Sequence, residues 1–211
     1  MDAILYKGLR RYLDESSLRT LAEIRVGIAG LGGLGSNVAM LLARTGFENF
    51  VLIDHDSVDA SNLNRQNYLP EDLGHRKTQA CLRHLSELNS DIRALCLNET
   101  ISSHTLPDIL KTSQIWVEAL DEPETKALFV QEALLAGKIV ASASGLAGFG
   151  GPCLERRKLH NLVLVGDFVS DVNTSAPLAP RVMWAASMLA DAVLERVLAL
   201  TDSPLPSIKG R

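Results

Sequence analysis

Short apolar runs alternate along the chain with longer amphipathic stretches, and their order predicts the fold. Val26-Gly27-Ile28-Ala29 is an apolar run that ends in Gly30-Leu31-Gly32-Gly33-Leu34-Gly35. A helical pattern over residues 37–42 stops at Gly46, and Phe50-Val51-Leu52-Ile53-Asp54 is a second apolar run closed by an acid. Brief apolar runs bounded by turn residues read as buried strands, so this segment is strand, glycine turn, helix, strand. Further strands are expected at residues 93–97, 115–119, 138–141 and 162–165, and helices at 76–88, 123–135 and 181–199. Pro123 suits the first turn of its helix, where its missing N–H is not needed. Residues 1–24 read as one helical arm, with Leu13, Leu18, Leu21 and Ile24 as its apolar stripe and Arg10, Arg11 and Arg19 outside it. Residues 56–74 and 142–151 have no periodicity and read as loops. The alternation predicts an α/β, Rossmann-like, mainly parallel sheet with helices on both faces. An added antiparallel strand or two is expected near the C-terminus.

Composition works mainly by exclusion. A length of 211 residues suits a single domain, 1–211, able to bury its own core. With 46% hydrophobic and 22% charged residues the chain is not disordered. A formal net charge of -4 argues against a protein that grips nucleic acid by its phosphates. The apolar C-terminal region carries Arg181, Asp191, Glu195 and Arg196, too many charges for a membrane span, and no signal peptide is visible among the charged first residues, so a cytoplasmic protein is expected. Cys81, Cys96 and Cys153 are scattered, which excludes a disulfide framework and a zinc site of two CxxC pairs. His55, His75, His84, His104 and His160 show no metal-binding spacing.

Gly30, Gly32 and Gly35 fit G-x-G-x-x-G between a strand and a helix, and Asp54 ends the next strand where an acid can hold a ribose hydroxyl. The glycines let backbone N–H groups approach a phosphate-bearing ligand at a helix N-terminus. A turn needed only for close helix–strand packing would look the same. The fingerprint does not choose between NAD and ATP.

The polar segment after Asp54 is more discriminating. A dinucleotide fold would enter its next helix quickly; here Ser61-Asn62-Leu63-Asn64-Arg65-Gln66 and Gly74-His75-Arg76-Lys77 intervene. Asn62, Asn64 and Gln66 can donate to phosphate or ribose oxygens, Arg65 offers a planar fork, and Lys77 a compact charge. Cations placed where charge develops at a reacting phosphate lower its barrier. The alternatives are a surface Arg65 paired with Asp56 or Asp59, and a solvated Lys77 at a helix start.

Together GLGGLGS (30–36), D-x-D (54–56), SNLNRQ (61–66), G-x-x-K (74–77) and Leu120-Asp121 resemble the ThiF/MoeB/HesA family of adenylating enzymes, relatives of the ubiquitin-activating enzyme. The short chain and Val165-Gly166-Asp167-Phe168-Val169-Ser170 look most like the short ThiF-type proteins of thiamine biosynthesis. The resemblance implies a homodimeric adenylyltransferase using ATP and Mg²⁺. Its partner would be a small ubiquitin-like sulfur carrier whose C-terminal Gly-Gly carboxylate attacks the α-phosphate. By matching position, Gly30, Gly32, Gly33 and Gly35 pack against the nucleotide, and Asp54 holds the ribose. Asn62, Asn64 and Arg65 hold ribose and phosphates, with Asp56, Ser61, Gln66 and Leu120 beside them. Arg65 and Lys77 stabilise the transition-state charge, and Asp121 binds Mg²⁺; an acid at the carboxyl end of a central strand also sits where open α/β sheets bind ligands. Asp121 could equally cap the helix before Pro123.

The chain departs from the family in several places. It has no zinc cysteines, so no zinc is expected. Glu122 stands where an Asn usually follows the metal-binding Asp. Cys153 is the sole cysteine in the region of the family's catalytic one; Arg156, Arg157 and Lys158 could lower its pKa, but no partner base is evident, and the chemistry is expected to stop at the adenylate. Arg10, Arg11 and Arg19 are candidates to reach a partner subunit's site. The loop Gly145-Leu146-Ala147-Gly148-Phe149-Gly150-Gly151 could serve as a channel for an extended Gly-Gly tail or be a plain mobile loop. Three other functions compete: a tRNA threonylcarbamoyladenosine dehydratase, counted against by the acidic chain; an NAD-dependent dehydrogenase, which leaves SNLNRQ unexplained; and a non-catalytic subunit, which has no need of Asp54, Arg65, Lys77 and Asp121. The leading expectation involves neither a membrane nor nucleic acid.

Overall fold

The computed structural model describes residues 4–199, so residues 1–3 of the expected arm and residues 200–211 of the expected domain lie outside the described residues. A seven-stranded sheet forms from β1 (Arg25–Ala29), β2 (Asn49–Ile53), β3 (Arg93–Leu97), β4 (Ile115–Glu118), β5 (Ile139–Ala143), β6 (Glu155–Leu159) and β7 (Leu162–Gly166). Its order is β3-β2-β1-β4-β5-β7-β6, with only β6 antiparallel to its neighbour. The helices are α1 (Ile4–Leu9), α2 (Glu15–Glu23), α3 (Gly33–Arg44), α4 (Lys77–Leu88), α5 (Leu106–Lys111), α6 (Pro123–Leu135) and α7 (Ala179–Leu198).

The central strands are mainly apolar because both faces are covered. Val26, Ile28, Phe50 and Leu52 point into a core shared with α3 and α7, through Val38, Leu42, Ala185 and Leu189. Ala29, Val51 and Ile53 point the other way, toward Leu106, Trp116 and Phe129. The two sets alternate along each strand, as the two-residue period of a pleated chain requires. Trp116 is fully buried; a β-carbon on Gly27 would stand 2.3 Å from its ring, so the glycine makes room for the indole.

The sheet matches the expected class, down to an antiparallel strand near the C-terminus, and four local details differ from or add to the expectations. The N-terminal arm is not one helix: the Asp14 carboxylate accepts the Ser17 N–H at 2.7 Å, caps a new start, and splits the arm into α1 and α2. Helix α5 was not expected, its six residues being too few to show a period. Strand β5 runs on through Ser142 and Ala143, so the small-residue loop begins later. Strand β6 lies in a stretch assigned to no element because Glu-Arg-Arg-Lys-Leu is charged; it is the added antiparallel strand expected near the C-terminus, and it forms the sheet edge, where charge blunts further pairing. Arg156 and Lys158 pair with Glu195 on α7, Arg156 also reaches Asp191, and Arg157 lies over the Phe168 ring at 3.9 Å. These cations are therefore engaged away from Cys153, which is exposed. No helix among the described residues is long and apolar enough to cross a membrane.

Candidate functional site

Strand order reverses between β1 and β4, which continue to opposite sides of the sheet, and open α/β sheets bind ligands in the crevice at such a point. The glycine turn closes that crevice. Gly30 adopts φ +88, and a β-carbon there would stand 2.6 Å from the Ala119 oxygen at the end of β4. A β-carbon on Gly35 would stand 1.8 Å from the Gly30 oxygen. One on Gly33 would meet Val182 of α7 at 3.0 Å and the Arg65 stem at 3.4 Å. Gly32 differs: the nearest atom would be Gln66 Nε2 at an ordinary 3.7 Å. The fold therefore demands Gly30 and Gly35, whereas Gly32 has room for a β-carbon against the end of the Gln66 side chain, and its lack of one lets backbone approach a ligand.

Asp54, just beyond β2, is buried and joins this turn to the polar loop. Its Oδ2 accepts the Leu31 N–H at 2.7 Å and its Oδ1 the Asp56 N–H at 2.8 Å. A carboxylate has about four acceptor positions, so it retains capacity for a ribose hydroxyl. Lys77, the first residue of α4, sends its ammonium to Asp56 Oδ2 at 2.7 Å and lies 3.8 Å from Asp54 Oδ2. Its side chain is only 7% exposed, so it is not a solvated helix-start lysine. The Lys77 hydrogen bond, then its charge with those of His55 and Arg76, holds the Asp56 carboxyl below the ordinary range against the opposing effect of burial. Asp54, His55 and Asp56 offer ligand atoms within 4.8 Å of one another. The ammonium already lies against both carboxylates, so a metal cation there would meet like charge.

The segment 59–68 folds onto the first turn of α3. Asp59 caps a 3-10 turn at Ala60–Asn62, accepting the Ser61 N–H at 2.8 Å, while Asn62 Oδ1 accepts the Asp59 N–H at 3.0 Å. The Asn62 NH₂ makes no hydrogen bond among the described residues. Arg65 donates to the Ser61 carbonyl at 3.0 Å and to Asn64 Oδ1 at 2.8 Å, and pairs with neither Asp56 nor Asp59. Gln66 is buried, and its Oε1 has no hydrogen-bond partner among the described residues. An orphaned buried acceptor is costly unless a ligand completes it. Ser36, Asn37 and Tyr68 stitch the parts together, and the sequence pattern did not single them out. Asn37 donates to the carbonyls of Gly33 and Arg65 at 2.6 and 2.9 Å, Ser36 Oγ accepts the Asn67 N–H at 3.0 Å, and the Tyr68 hydroxyl donates to Leu31 at 2.9 Å. Burial pushes the Tyr68 hydroxyl pKa up, so it stays a donor.

On the far side of the crevice, Glu118 at the end of β4 is fully buried. It accepts the Leu120 N–H at 2.8 Å, the Ser142 hydroxyl at 2.6 Å and the Lys126 ammonium. This sets the turn bearing Leu120 and Asp121, which presses on Gly30 through the Ala119 carbonyl. A charged residue inside an apolar strand must be paired, and that was the available sequence signal for Glu118. Asp121 is exposed, and Glu122 occupies the N-cap position of α6, so Asp121 is not the cap. The structure thus brings together Gly30–Gly35, Asp54, Asp56, Arg65, Gln66 and Lys77 on one side, with Leu120 and Asp121 across the crevice.

The ThiF family pattern matches residues 6–164. The chain is 31% identical over 152 residues to the sulfur carrier protein ThiS adenylyltransferase of Escherichia coli, covering 72% of this chain and 57% of that one. It is 34% identical over 154 residues to the adenylyltransferase and sulfurtransferase MOCS3 of Dictyostelium discoideum, covering 65% of this chain and 35% of that one. An Aspergillus niger relative, the adenylyltransferase and sulfurtransferase uba4, is 33% identical over 127 residues, 60% of this chain and 26% of its own length. The chain therefore spans between about a quarter and just over half of these curated relatives. Among solved structures, E. coli tRNA N6-threonylcarbamoyladenosine dehydratase, TcdA, in complex with ATP superposes with a TM-score of 0.83 at 20% identity, covering 92% of this chain and 94% of that one. E. coli MccB with ATP gives 0.70 at 24% identity, covering 90% and 60%. At such identities these likenesses establish the shared fold.

Proposed function

The chain belongs to the ThiF family, and on that premise we propose that it transfers AMP from ATP to the C-terminal carboxylate of a small ubiquitin-like sulfur carrier ending in Gly-Gly. The observation that carries this reading is the buried Lys77 ammonium, tied through Asp54 to the backbone of the glycine turn. A cation so placed suits a phosphate lying on that turn, and a hydride-transfer site has no comparable need of it. The names of the E. coli, Dictyostelium and Aspergillus relatives, all adenylyltransferases, support the same reading.

ATP fits the residues present. The missing side chain of Gly32 admits the phosphates to backbone N–H groups beside the Gln66 amide, whose orphaned Oε1 awaits a donor from the nucleotide. Asp54 holds the ribose, and Asn62 and Asn64 stand beside it. A carrier carboxylate oxygen forms a bond to the α-phosphorus, and the bond to the bridging oxygen of pyrophosphate breaks. Arg65 and Lys77 supply positive charge for the negative charge that gathers on the phosphate oxygens. Asp121 supplies the hard carboxylate oxygen that suits Mg²⁺, at an exposed turn against Gly30. When bound, the ion neutralises phosphate charge. The reading extends to a homodimer, to a cytoplasmic setting and to sulfur delivery for thiamine biosynthesis, with sulfur transfer itself left to another protein.

The test is exchange of labelled pyrophosphate into ATP with Mg²⁺ and purified E. coli ThiS. Carrier-dependent exchange is expected; folded protein that exchanges with no Gly-Gly carrier would refute the proposal. Threonylcarbamoyl-modified tRNA as an alternative substrate separates adenylation of a protein tail from that of a modified base.

A further inference from the structure

Beyond β5 and β7 the chain forms two loops that lie against each other. The Gly148 N–H donates to the Ala176 carbonyl at 3.0 Å, and the Ala147 N–H to Ser170 Oγ at 3.0 Å. Beneath them lies a buried ion pair. Arg181, in the first turn of α7, donates from Nη2 to Asp167 Oδ2 at 2.6 Å and from Nη1 to the Pro152 carbonyl at 3.0 Å. The side chains are 6% and 0% exposed. The other Asp167 oxygen accepts the N–H groups of Val169 at 2.9 Å and Ser170 at 2.8 Å.

The local backbone is shaped to this pair. Gly145 has φ +76, and a β-carbon there would stand 2.3 Å from Asp167 Oδ1. Phe168 is held in the left-handed region at φ 59, with the Arg157 guanidinium over its ring. Strained positions of this kind persist only where surroundings over-determine them. Burial raises the Asp167 pKa, but the two N–H groups, the Ser170 hydroxyl and Arg181 outweigh it and keep the carboxyl ionised. Val182, the next residue along α7, is the one that abuts Gly33. One pair therefore fixes the glycine-rich loop, the Pro152 segment and the start of α7 against the nucleotide turn. A buried ion pair brings little net stability, because desolvation offsets attraction, so its value lies in fixing one arrangement.

We propose that Asp167 and Arg181 are positioning residues for the carboxylate substrate. They hold residues 145–151 as a backbone track whose end, Gly151, lies against Arg181 at the start of α7, the turn that abuts Gly33, and along it an extended tail with little side chain lies, its carboxylate toward the α-phosphate. The inference rests on the adenylation reading and adds which groups set the substrate's path. The Nη atoms of Arg181 are occupied by Asp167 and Pro152, so the pair acts through the loop.

The experiment compares the full chain with Arg181→Gln, Arg181→Lys and Asp167→Asn in pyrophosphate exchange with E. coli ThiS, alongside calorimetric ATP binding. A loop displaced by about 1 Å predicts a rise of roughly tenfold or more in KM for ThiS in the Gln and Asn variants. Arg181→Lys is expected to recover part of the loss, with the Kd for ATP unchanged throughout. An unchanged KM for ThiS, or an ATP Kd that rises in step with it, overturns the proposal. If the buried-pair variants fail to fold, Ser170→Ala decides: it removes the acceptor of the Ala147 N–H and leaves both members of the pair and the Ser170 N–H bond to Asp167 in place. It should raise KM for ThiS in a chain that still folds with the Asp167–Arg181 pair in place, and an unchanged KM overturns the proposal. A folded parent chain inactive with ThiS and with every other Gly-Gly carrier overturns the adenylation reading and this inference together; an active parent with unaffected variants overturns this inference alone.

Discussion

The carbonyl oxygen of Gly30 occupies the place where a β-carbon of Gly35 would stand, 1.8 Å away, whereas a β-carbon on Gly32 would meet only ordinary contact at 3.7 Å. The third glycine of the motif serves packing, and the second serves the space above the turn. Gly35→Ala is expected to destabilise the chain by about 1–3 kcal/mol or more through overpacking. That lowers Tm by roughly 2–4 °C for each kcal/mol. Gly32→Ala should melt with the parent while binding ATP more weakly. Thermal melts with calorimetry check both, and equal Tm losses would show the distinction to be wrong.

Lys77→Ala should reduce carrier-dependent pyrophosphate exchange by on the order of 10²–10³, the usual effect of removing one preorganised donor. The ammonium also neutralises two carboxylates, so Asp54 and Asp56 repel in its absence. Circular dichroism at matched conditions separates loss of chemistry from loss of fold. A folded variant with parental exchange would remove Lys77 from the reaction.

Gln66→Leu removes a buried oxygen that has no protein partner. Replacing an unsatisfied acceptor with an apolar group is near neutral or stabilising for the free protein. The variant should melt at or above the parental Tm without nucleotide and show a smaller upward shift on adding ATP. A parental ATP shift would mean that Gln66 faces no nucleotide donor.

Glu118→Ala leaves the Leu120 N–H, the Ser142 hydroxyl and Lys126 without their shared acceptor. Breaking a buried pair costs about 3–5 kcal/mol, and the partial exposure of Lys126 places the loss near ~3 kcal/mol. Urea unfolding at neutral pH reads this directly; a loss under about 1 kcal/mol, the scale of an exposed ion pair, contradicts it.

Asp56 and Asp167 both carry carboxyls held below the ordinary value of 3.8, Asp56 chiefly by the Lys77 hydrogen bond and Asp167 by loop N–H groups and Arg181 against burial. The folded chain thus binds these protons less readily than the unfolded one. Their contribution is full above the unfolded value and is lost as pH falls through the folded values. Tm should fall more steeply with acid in the parent than in Asp56→Asn or Asp167→Asn across roughly pH 5 to 2. Parallel acid limbs for parent and variants would contradict the assignment.

Strands β1, β2, β3, β4, β5 and β7, the glycine turn and helices α3, α4, α6 and α7 were legible in the sequence. Each is written in local terms: a short apolar run, a helical repeat, a glycine cluster or a proline at a helix start. The candidate residues were legible too, as residue types at fixed spacing that resemble one family. Strand β6 was not, because an edge strand exposed to solvent carries charges where a buried one carries apolar residues. The split of the arm turned on one carboxylate, Asp14, choosing a backbone N–H over continued helix.

Tertiary structure alone decided which polar groups are buried and with whom. Lys77 and Asp54 lie 23 residues apart, Glu118 and Ser142 lie 24 apart, and Asp167 and Arg181 lie 14 apart. Nothing local distinguishes a solvated lysine at a helix start from one sealed against two carboxylates. The energy of a charge depends on whether water or a partner surrounds it, and only the packed chain settles that. Taken alone, the sequence determined the layers of the fold and the inventory of its chemistry; folding determined that Lys77 is tied to the glycine turn and that Arg181 is spent on a loop.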